Sequence, residues 1–319
     1  MAVVLALTLT SPSAQSPAPA PQSPAPAPQS PPSAAQSMVN CAPKPSLCGF
    51  PDATNSGVPS GVALKSVPGD VTSGPGWHWD ERGWVVVDGD GATFTGYAVK
   101  APIEVTGSNV TISNVQVILG GEQIGIGVEH TKNVTIENCT ITAPDAGANR
   151  LLTGVKDVYG DAKGTVVKGN DISRTATGVQ THEGVIEDNY IHDLGYKPGA
   201  GDHTNGTTSN GDTTPLTIRH NTIFNPQDQT DAISLFQDFG VEANRLVQDN
   251  LLAGGGYAIY GGAGKDQSSN IRFTGNRISR IFYPKGGSYG PAAYFDSKGP
   301  GNAWTNNVWD DTNEQIAAP

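Results

Sequence analysis

Short stretches of alternating apolar and polar residues recur along the chain, and each ends in an asparagine followed, two positions later, by an apolar residue. Asn133–Ile141 and Leu216–Ile223 are clear copies. Alternation with a period of two is typical of β-strands, and repetition at intervals of 19 to 32 residues is typical of coils that stack as parallel sheets. The pattern therefore predicts an all-β solenoid, a single-stranded parallel β-helix.

The repeated asparagines are expected to stack in one turn of each coil as an Asn ladder, because side-chain amides can bond the copies above and below. They are Asn114, Asn138, Asn170, Asn189, Asn221, Asn250, Asn276 and Asn307. A structural role in the turns removes these eight from the candidate catalytic residues.

A second short strand of the form Gly-Val-Xaa lies between successive asparagines, and its middle residue is expected to point inward. Its neighbours would then form two outward columns. One column is small: Gly127, Gly154, Gly178, Gly206, Ala232, Ala258 and Ala293. The other is larger: Glu129, Lys156, Gln180, Thr208, Ser234, Tyr260 and Phe295. Together they predict a groove whose floor accepts an extended sugar chain.

Composition supports an all-β protein, since 40 glycines and 24 prolines disfavour helices and only 15 % of residues are charged. We expect a signal-like segment at 1–14, a Pro/Ala/Ser-rich linker at 15–40 and one β-helix domain at 41–319. Cys41 and Cys48 are expected to form a disulfide. The net charge of −11 disfavours nucleic acid, and no later segment is long enough to span a membrane.

Several segments, beyond the repeats, resemble secreted actinobacterial right-handed β-helix proteins of the pectate-lyase-like superfamily. They are His203–Gly206, Leu251–Tyr260 and Gly286–Pro291, and the likeness covers roughly residues 60 to 310. It implies a right-handed β-helix and a carbohydrate-active protein. It does not imply one reaction, because superfamily members share the coil and differ in catalytic motif; the aspartate motifs of polygalacturonases and the Trp-Ile-Asp-His signature of pectate lyases are missing here.

The middle coils and the insertion at 193–215 carry the densest polar cluster. We expect catalytic residues among His203, Asp231, Lys156, His182 and Asp202, and substrate-binding residues among Gln180, Asn205, Asn210, Phe236, Tyr257 and Tyr260. Hydrolysis needs two carboxyls, which here would be Asp231 with Asp202 or Asp212. Elimination needs a base, from Lys156, His182, His203 or Tyr260, and a positive group beside the uronate. The sequence does not fix a cofactor, and Asp202, Asp212 and Asp231 are the candidate ligands if Ca²⁺ is used.

The sequence thus favours a secreted, monomeric enzyme, a lyase or a glycoside hydrolase, whose partner is an extracellular polysaccharide. The alternative is a non-catalytic glycan-binding or cell-surface β-helix that holds a sugar chain in the same groove. Turnover of a polysaccharide separates the two.

Overall fold

The computed structural model describes residues 40–319, so the predicted signal-like segment and nearly all of the linker lie outside the described residues. Three long parallel sheets make up this part of the chain. One short 3-10 helix, Pro45–Cys48, precedes them. The predicted all-β parallel β-helix is confirmed.

From Val85 onward each full coil contributes one strand to each sheet, whereas the first three strands of sheet B pair with one another antiparallel. Sheet A contains Lys65–Val67, Tyr97–Val99, Gln116–Ile118, Thr140–Thr142, Asp171–Ser173, Tyr190–His192, Thr222–Asn225, Leu251–Gly254, Arg277–Ile278 and Val308–Trp309. Sheet B contains Ser73–Gly74, Trp77–Trp79, Val85–Val87, Ile103–Val105, Gly121–Val128, Leu151–Asp157, Thr175–Gln180, Asn205–Ser209, Asp231–Leu235, Tyr257–Gly261 and Gly290–Ala293. Sheet C contains Thr93–Thr95, Thr111–Ser113, Thr135–Glu137, Val166–Lys168, Gly184–Glu187, Leu216–Arg219, Ala243–Gln248, Ser269–Thr274 and Ala303–Thr305.

The three sheets enclose one continuous apolar core that runs the length of the solenoid. β-Branched residues dominate it, and aligned positions of successive coils stack on one another: Ile141 pairs with Ile172, which pairs with Ile191, which pairs with Ile223. All four are fully buried. Stacking of like residues fixes the register of the coils, because a slip of one residue would turn each isoleucine toward solvent.

Six of the eight asparagines form a continuous stack in the turn between sheets C and A. Each side-chain amide donates a hydrogen bond to the side-chain oxygen of the next, with distances of 2.8–3.0 Å. The members are Asn170, Asn189, Asn221, Asn250, Asn276 and Asn307. All six are fully buried, and each amide of the stack also donates to a strand carbonyl, so the turn leaves few buried polar groups unpaired.

The assignment of Asn114 and Asn138 to this stack is wrong by one position. Both adopt the left-handed conformation, with φ of 52°, and precede the stacked position. In the coil of Asn138 the stacked position is Cys139, whose backbone N–H donates to the side-chain oxygen of Asn170. Asparagine tolerates a positive φ better than other non-glycine residues, so the same turn accepts asparagine at two successive positions for two different reasons.

Residues 40–58, named here the N-terminal strap, run along the outer face of sheet A. At one end the backbone N–H of Ala42 donates to the carboxylate of Asp310 in the last coil, at 2.9 Å. At the other end the N–H of Val58 donates to the hydroxyl of Thr140, at 3.0 Å. The predicted disulfide between Cys41 and Cys48 is confirmed and lies within the strap. The strap thus covers the outer face of sheet A from the coil of Thr140 to the last coil.

Candidate functional site

The small residues of sheet B face the core, so the prediction that they form a groove floor is wrong. Cβ atoms added at Gly154, Gly178 and Gly206 would lie 2.8, 2.6 and 2.1 Å from the Cγ2 atoms of Ile172, Ile191 and Ile223. The residue after each of these glycines is buried as well. Two successive residues therefore point inward, and strict alternation fails at this place in the strand. The glycines make room for the isoleucines of sheet A.

The register also differs from the predicted one at both ends of sheet B. Gly127 pairs with Lys156, not with Gly154, and Ala293 pairs with Tyr260. Glu129 and Phe295 accordingly fall outside the column to which they were assigned. The glycine that corresponds to Gly154 in the first of these strands is Gly125, whose added Cβ would lie 3.0 Å from Cγ2 of Ile141.

Two columns of side chains do face outward, one on each side of the inward pair. In one, Thr153, Thr177, Asn205 and Asp231 pair in register from coil to coil. In the other, Lys156, Gln180, Thr208, Ser234 and Tyr260 pair in the same way. Both columns run parallel to the axis of the solenoid, so a ligand lying between them would run along that axis.

The columns and the insertion enclose a pocket of about 470 Å³. Seven of the predicted site residues line it: Lys156, Gln180, Asp202, His203, Asn205, Asn210 and Phe236. Glu122, Thr208, Thr230 and Asp238 are also at its wall. The structure therefore brings together residues from five coils that the sequence separates by as many as 116 positions. It does not place His182, Asp212, Asp231, Tyr257 or Tyr260 at the wall.

Asp202 is held in a buried ion pair with Arg150, a residue that no motif in the sequence singles out. The guanidinium of Arg150 donates from Nε to Asp202 at 2.8 Å and also contacts its other oxygen and Glu122. Burial opposes ionisation of Asp202, but the hydrogen bonds from Arg150 and from the N–H of Lys197 outweigh it and lower its pKa. Asp202 is therefore an ionised group that positions the insertion.

Lys156 and His203 face the same pocket and are not paired in this way. No carboxylate of residues 40–319 lies within 4.0 Å of the charged end of either side chain. The carboxylates of Asp202 and Glu122, by contrast, are both engaged by Arg150. The pocket thus presents two basic side chains, the carboxyl group of Asp238, a row of amides and hydroxyls and one phenyl ring, Phe236.

Asp231 lies beside Asn205 in the outward column but is completely buried and does not reach the pocket wall. Neither of its carboxyl oxygens has a hydrogen-bond partner in the described chain, and the side-chain oxygen of Asn205 lacks one too. Burial raises the pKa of the Asp231 carboxyl well above its usual range. The group is thus set up as a neutral acid next to the pocket.

Three other candidates, His182, Asp212 and Tyr260, lie outside the pocket wall. His182 accepts a hydrogen bond from the backbone N–H of Asn210 at 3.4 Å and sits beyond the pocket wall. Asp212 accepts the N–H of Thr214 in a tight turn. Tyr260 is a poor base, because burial above all raises its pKa to about 12.

The proposed calcium ligands are dispersed. Asp202 pairs with Arg150, Asp212 closes a turn and Asp231 is buried in sheet B. Across residues 40–319 there is no group of three His, Cys, Asp or Glu side chains arranged to hold a metal ion. The predicted set of Asp202, Asp212 and Asp231 is not brought together.

Comparison with known proteins indicates that the coil is right-handed. Residues 103–278, more than half of the chain, match the family model for the right handed beta helix region. The chain belongs to this family. No curated protein and no solved structure gives a match.

The right-handed β-helix carries its pocket on the coils that this match covers. Family membership establishes the fold of the coil and leaves the reaction open, since the fold is compatible with both cleavage and binding of carbohydrate. Within residues 40–319, no helical segment has the length and apolar character needed to cross a membrane.

A set of rings continues from the pocket toward the last coils of the right-handed β-helix. Phe236 contacts Tyr260 with ring centroids 5.1 Å apart, and Tyr260 contacts Tyr257 and Tyr294 at 5.5 and 5.6 Å. Tyr289 adjoins Tyr257 at 5.8 Å. We call Phe236, Tyr257, Tyr260, Tyr289 and Tyr294 the aromatic row. The sequence indicates the first three as ligand-binding residues and does not single out Tyr289 or Tyr294 for that role.

Proposed function

We propose that the protein is a secreted enzyme that binds an acidic polysaccharide along sheet B and cleaves it in the pocket by β-elimination. The observation that carries this proposal is the presence of Lys156 and His203 in one pocket without a carboxylate partner in residues 40–319. A uronate-containing chain has the two features that such a pair would serve, a carboxylate and a removable proton on the adjacent carbon.

The two basic side chains would have separate roles. The ammonium group of Lys156 would bind the uronate carboxylate and stabilise the negative charge that develops on it. The imidazole of His203 would remove the proton from the carbon next to that carboxylate, since histidine exchanges protons near neutral pH. The C–H bond breaks, a carbon–carbon double bond forms and the glycosidic C–O bond breaks. The departing oxygen takes up a proton, so one chain becomes two.

Hydrolysis is less well supported by the same pocket. It requires one carboxyl as the acid and a second as the base or nucleophile. Asp202 and Glu122 are held by Arg150, and Asp231 is buried behind the wall. Among the carboxyls at the wall this leaves Asp238, a single group.

Incubation with polyuronates and neutral polysaccharides tests the proposal. We expect reducing ends together with the ultraviolet absorbance of an unsaturated product on at least one polyuronate. His203→Asn and Lys156→Met should each abolish most of that absorbance. His130→Asn is the matched control, since His130 stacks on Tyr159 and pairs with Asp161 away from the pocket. Reducing ends without the absorbance would indicate hydrolysis and overturn the elimination mechanism.

The second candidate is a glycan-binding β-helix without turnover. It is favoured by the aromatic row, which provides a sugar-binding surface that needs no catalytic group. In that case, the protein would bind polymer, no new ends would appear, and His203→Asn would bind as well as the parent.

A further inference from the structure

The outer rings of the aromatic row are unusually exposed. Tyr289 and Tyr294 are 66 % and 64 % accessible to solvent, respectively, although both lie beside other rings. Large aromatic side chains gain free energy by burial, so a contiguous exposed set of them is typical of a binding surface.

The backbone at Tyr294 also favours a binding role. Its φ is 56°, in the left-handed region that a bulky side chain seldom adopts. In this conformation its ring stacks on Tyr260, with an angle of 14° between the two planes. The carbonyl of Tyr294 accepts a hydrogen bond from the N–H of Ala263 at 2.6 Å, but its side chain neither fills the core nor makes a hydrogen bond within residues 40–319. A strained residue whose side chain has no such structural contact is a candidate for a binding role.

The four tyrosines of the aromatic row have hydroxyl groups without a hydrogen-bond partner in the described part of the chain. The hydroxyl groups of Tyr257, Tyr260, Tyr289 and Tyr294 make no hydrogen bond with any group of residues 40–319, whereas that of Tyr283 donates to a backbone carbonyl at 2.8 Å. A flat apolar face with a free hydroxyl at its edge matches a sugar ring, which has C–H groups on one face and hydroxyls around its rim.

The row is continuous with the pocket through Phe236, which lines the pocket wall and contacts Tyr260. From there it passes to Tyr294 in the coil of the last strand of sheet B. Successive coils are about 4.8 Å apart, so the row extends about 10 Å along the axis beyond Phe236.

We propose that the aromatic row forms additional subsites for sugar rings, so that the ligand is a polymer chain that leaves the pocket along the axis toward the last coils. This inference rests on the proposed binding of polysaccharide in sheet B. It specifies the direction of the chain and requires a ligand longer than the pocket alone would hold.

Affinity electrophoresis through gels that contain polygalacturonate, alginate or xylan tests this inference. The variants are Tyr294→Asn, which removes the ring and keeps a residue that accepts a positive φ, and Tyr289→Ala. At least one polymer should retard the parent, and each variant should bind it about 2- to 10-fold more weakly. Phe282→Ala is the matched control, because this exposed ring packs against Phe224 at sheet A.

Three results would overturn the inference: unchanged retardation of both variants, no retardation of the parent by any of the polymers, or a lower melting temperature of Tyr294→Asn with unchanged binding. The last would mean that the ring only covers the end of the core. Cleavage is read separately from the unsaturated product. Weakened binding of the variants without any product would support the subsites and refute the elimination, and product with unchanged binding would do the reverse.

Discussion

Replacement of Asp231 by asparagine is expected to stabilise the protein at neutral pH and to have little effect in acid. The carboxyl is fully buried without a partner for either oxygen in the described chain, and burial raises its pKa well above the usual value. The folded state therefore holds a proton that the unfolded chain releases. The stability that this group contributes is complete below the ordinary aspartate pKa, roughly 3.9, and is lost as the pH rises through the folded-state pKa.

The size of the effect follows from proton linkage. Between these two pKa values, each pH unit costs the parent up to about 1.4 kcal/mol of unfolding free energy. Asparagine has nearly the same volume and does not ionise, so the variant escapes this loss. The difference in stability between the variant and the parent should grow with pH up to the folded-state pKa and then level off.

Urea denaturation of both proteins at a series of pH values from acid to mildly alkaline, followed by tryptophan fluorescence, measures that difference. Asp212→Asn is a control of opposite sign. Burial opposes ionisation of Asp212, but the hydrogen bonds from Thr214 lower its pKa, so its contribution is present above the ordinary aspartate pKa and is lost in acid. A stability difference for Asp231→Asn that does not change with pH, or that favours the parent at alkaline pH, would refute a buried neutral carboxyl.

Two further predictions concern the ion pair at the pocket and the core packing of sheet B. Asp202→Asn should lower the unfolding free energy by about 3–5 kcal/mol in urea titrations, because the guanidinium of Arg150, which is 0 % exposed, loses its buried counter-charge; a loss below 1 kcal/mol, of the size typical of surface pairs, would contradict this. Gly206→Ala should cost about 1–3 kcal/mol, since the new methyl group would overlap Ile223. Gly147→Ala, with no contact closer than 3.5 Å, should be nearly neutral, and equal losses for both glycines would argue against the packing explanation.

The fold could be predicted from the sequence because the same strand pattern recurs in every coil. An apolar residue such as Ile172 recurs at the same place in each coil, and stacking requires only that the copies resemble one another. The disulfide was predictable because Cys41 and Cys48 are close in sequence. The errors are local. Asn138 precedes the stacked position by one residue, because asparagine suits two successive turn positions, and Gly127 follows the correct glycine, Gly125, by two residues, because both precede a β-branched residue.

The site was less accessible to sequence analysis because its chemistry depends on long-range pairs. Arg150 and Asp202 are 52 residues apart, and nothing near Asp202 in the sequence shows that its carboxylate is already engaged. Burial of Asp231 depends on neighbouring coils in the same way. Residue type and position within the repeat placed Lys156 and Gln180 at the pocket, but they do not indicate which polar groups are free to meet a ligand.

The N-terminal strap changes how this solenoid is expected to come apart. In an open stack of coils each coil contacts only its neighbours, so the ends fray first and the loss spreads inward step by step. Here the first described residues are bonded to Asp310 in the last coil, and the same short segment reaches Thr140 several coils earlier. Unzipping of the final coil must therefore disrupt an attachment shared with the middle of the molecule. The strap links the last coil to a coil in the middle of the solenoid. We therefore expect it to reduce fraying at the end that carries the aromatic row.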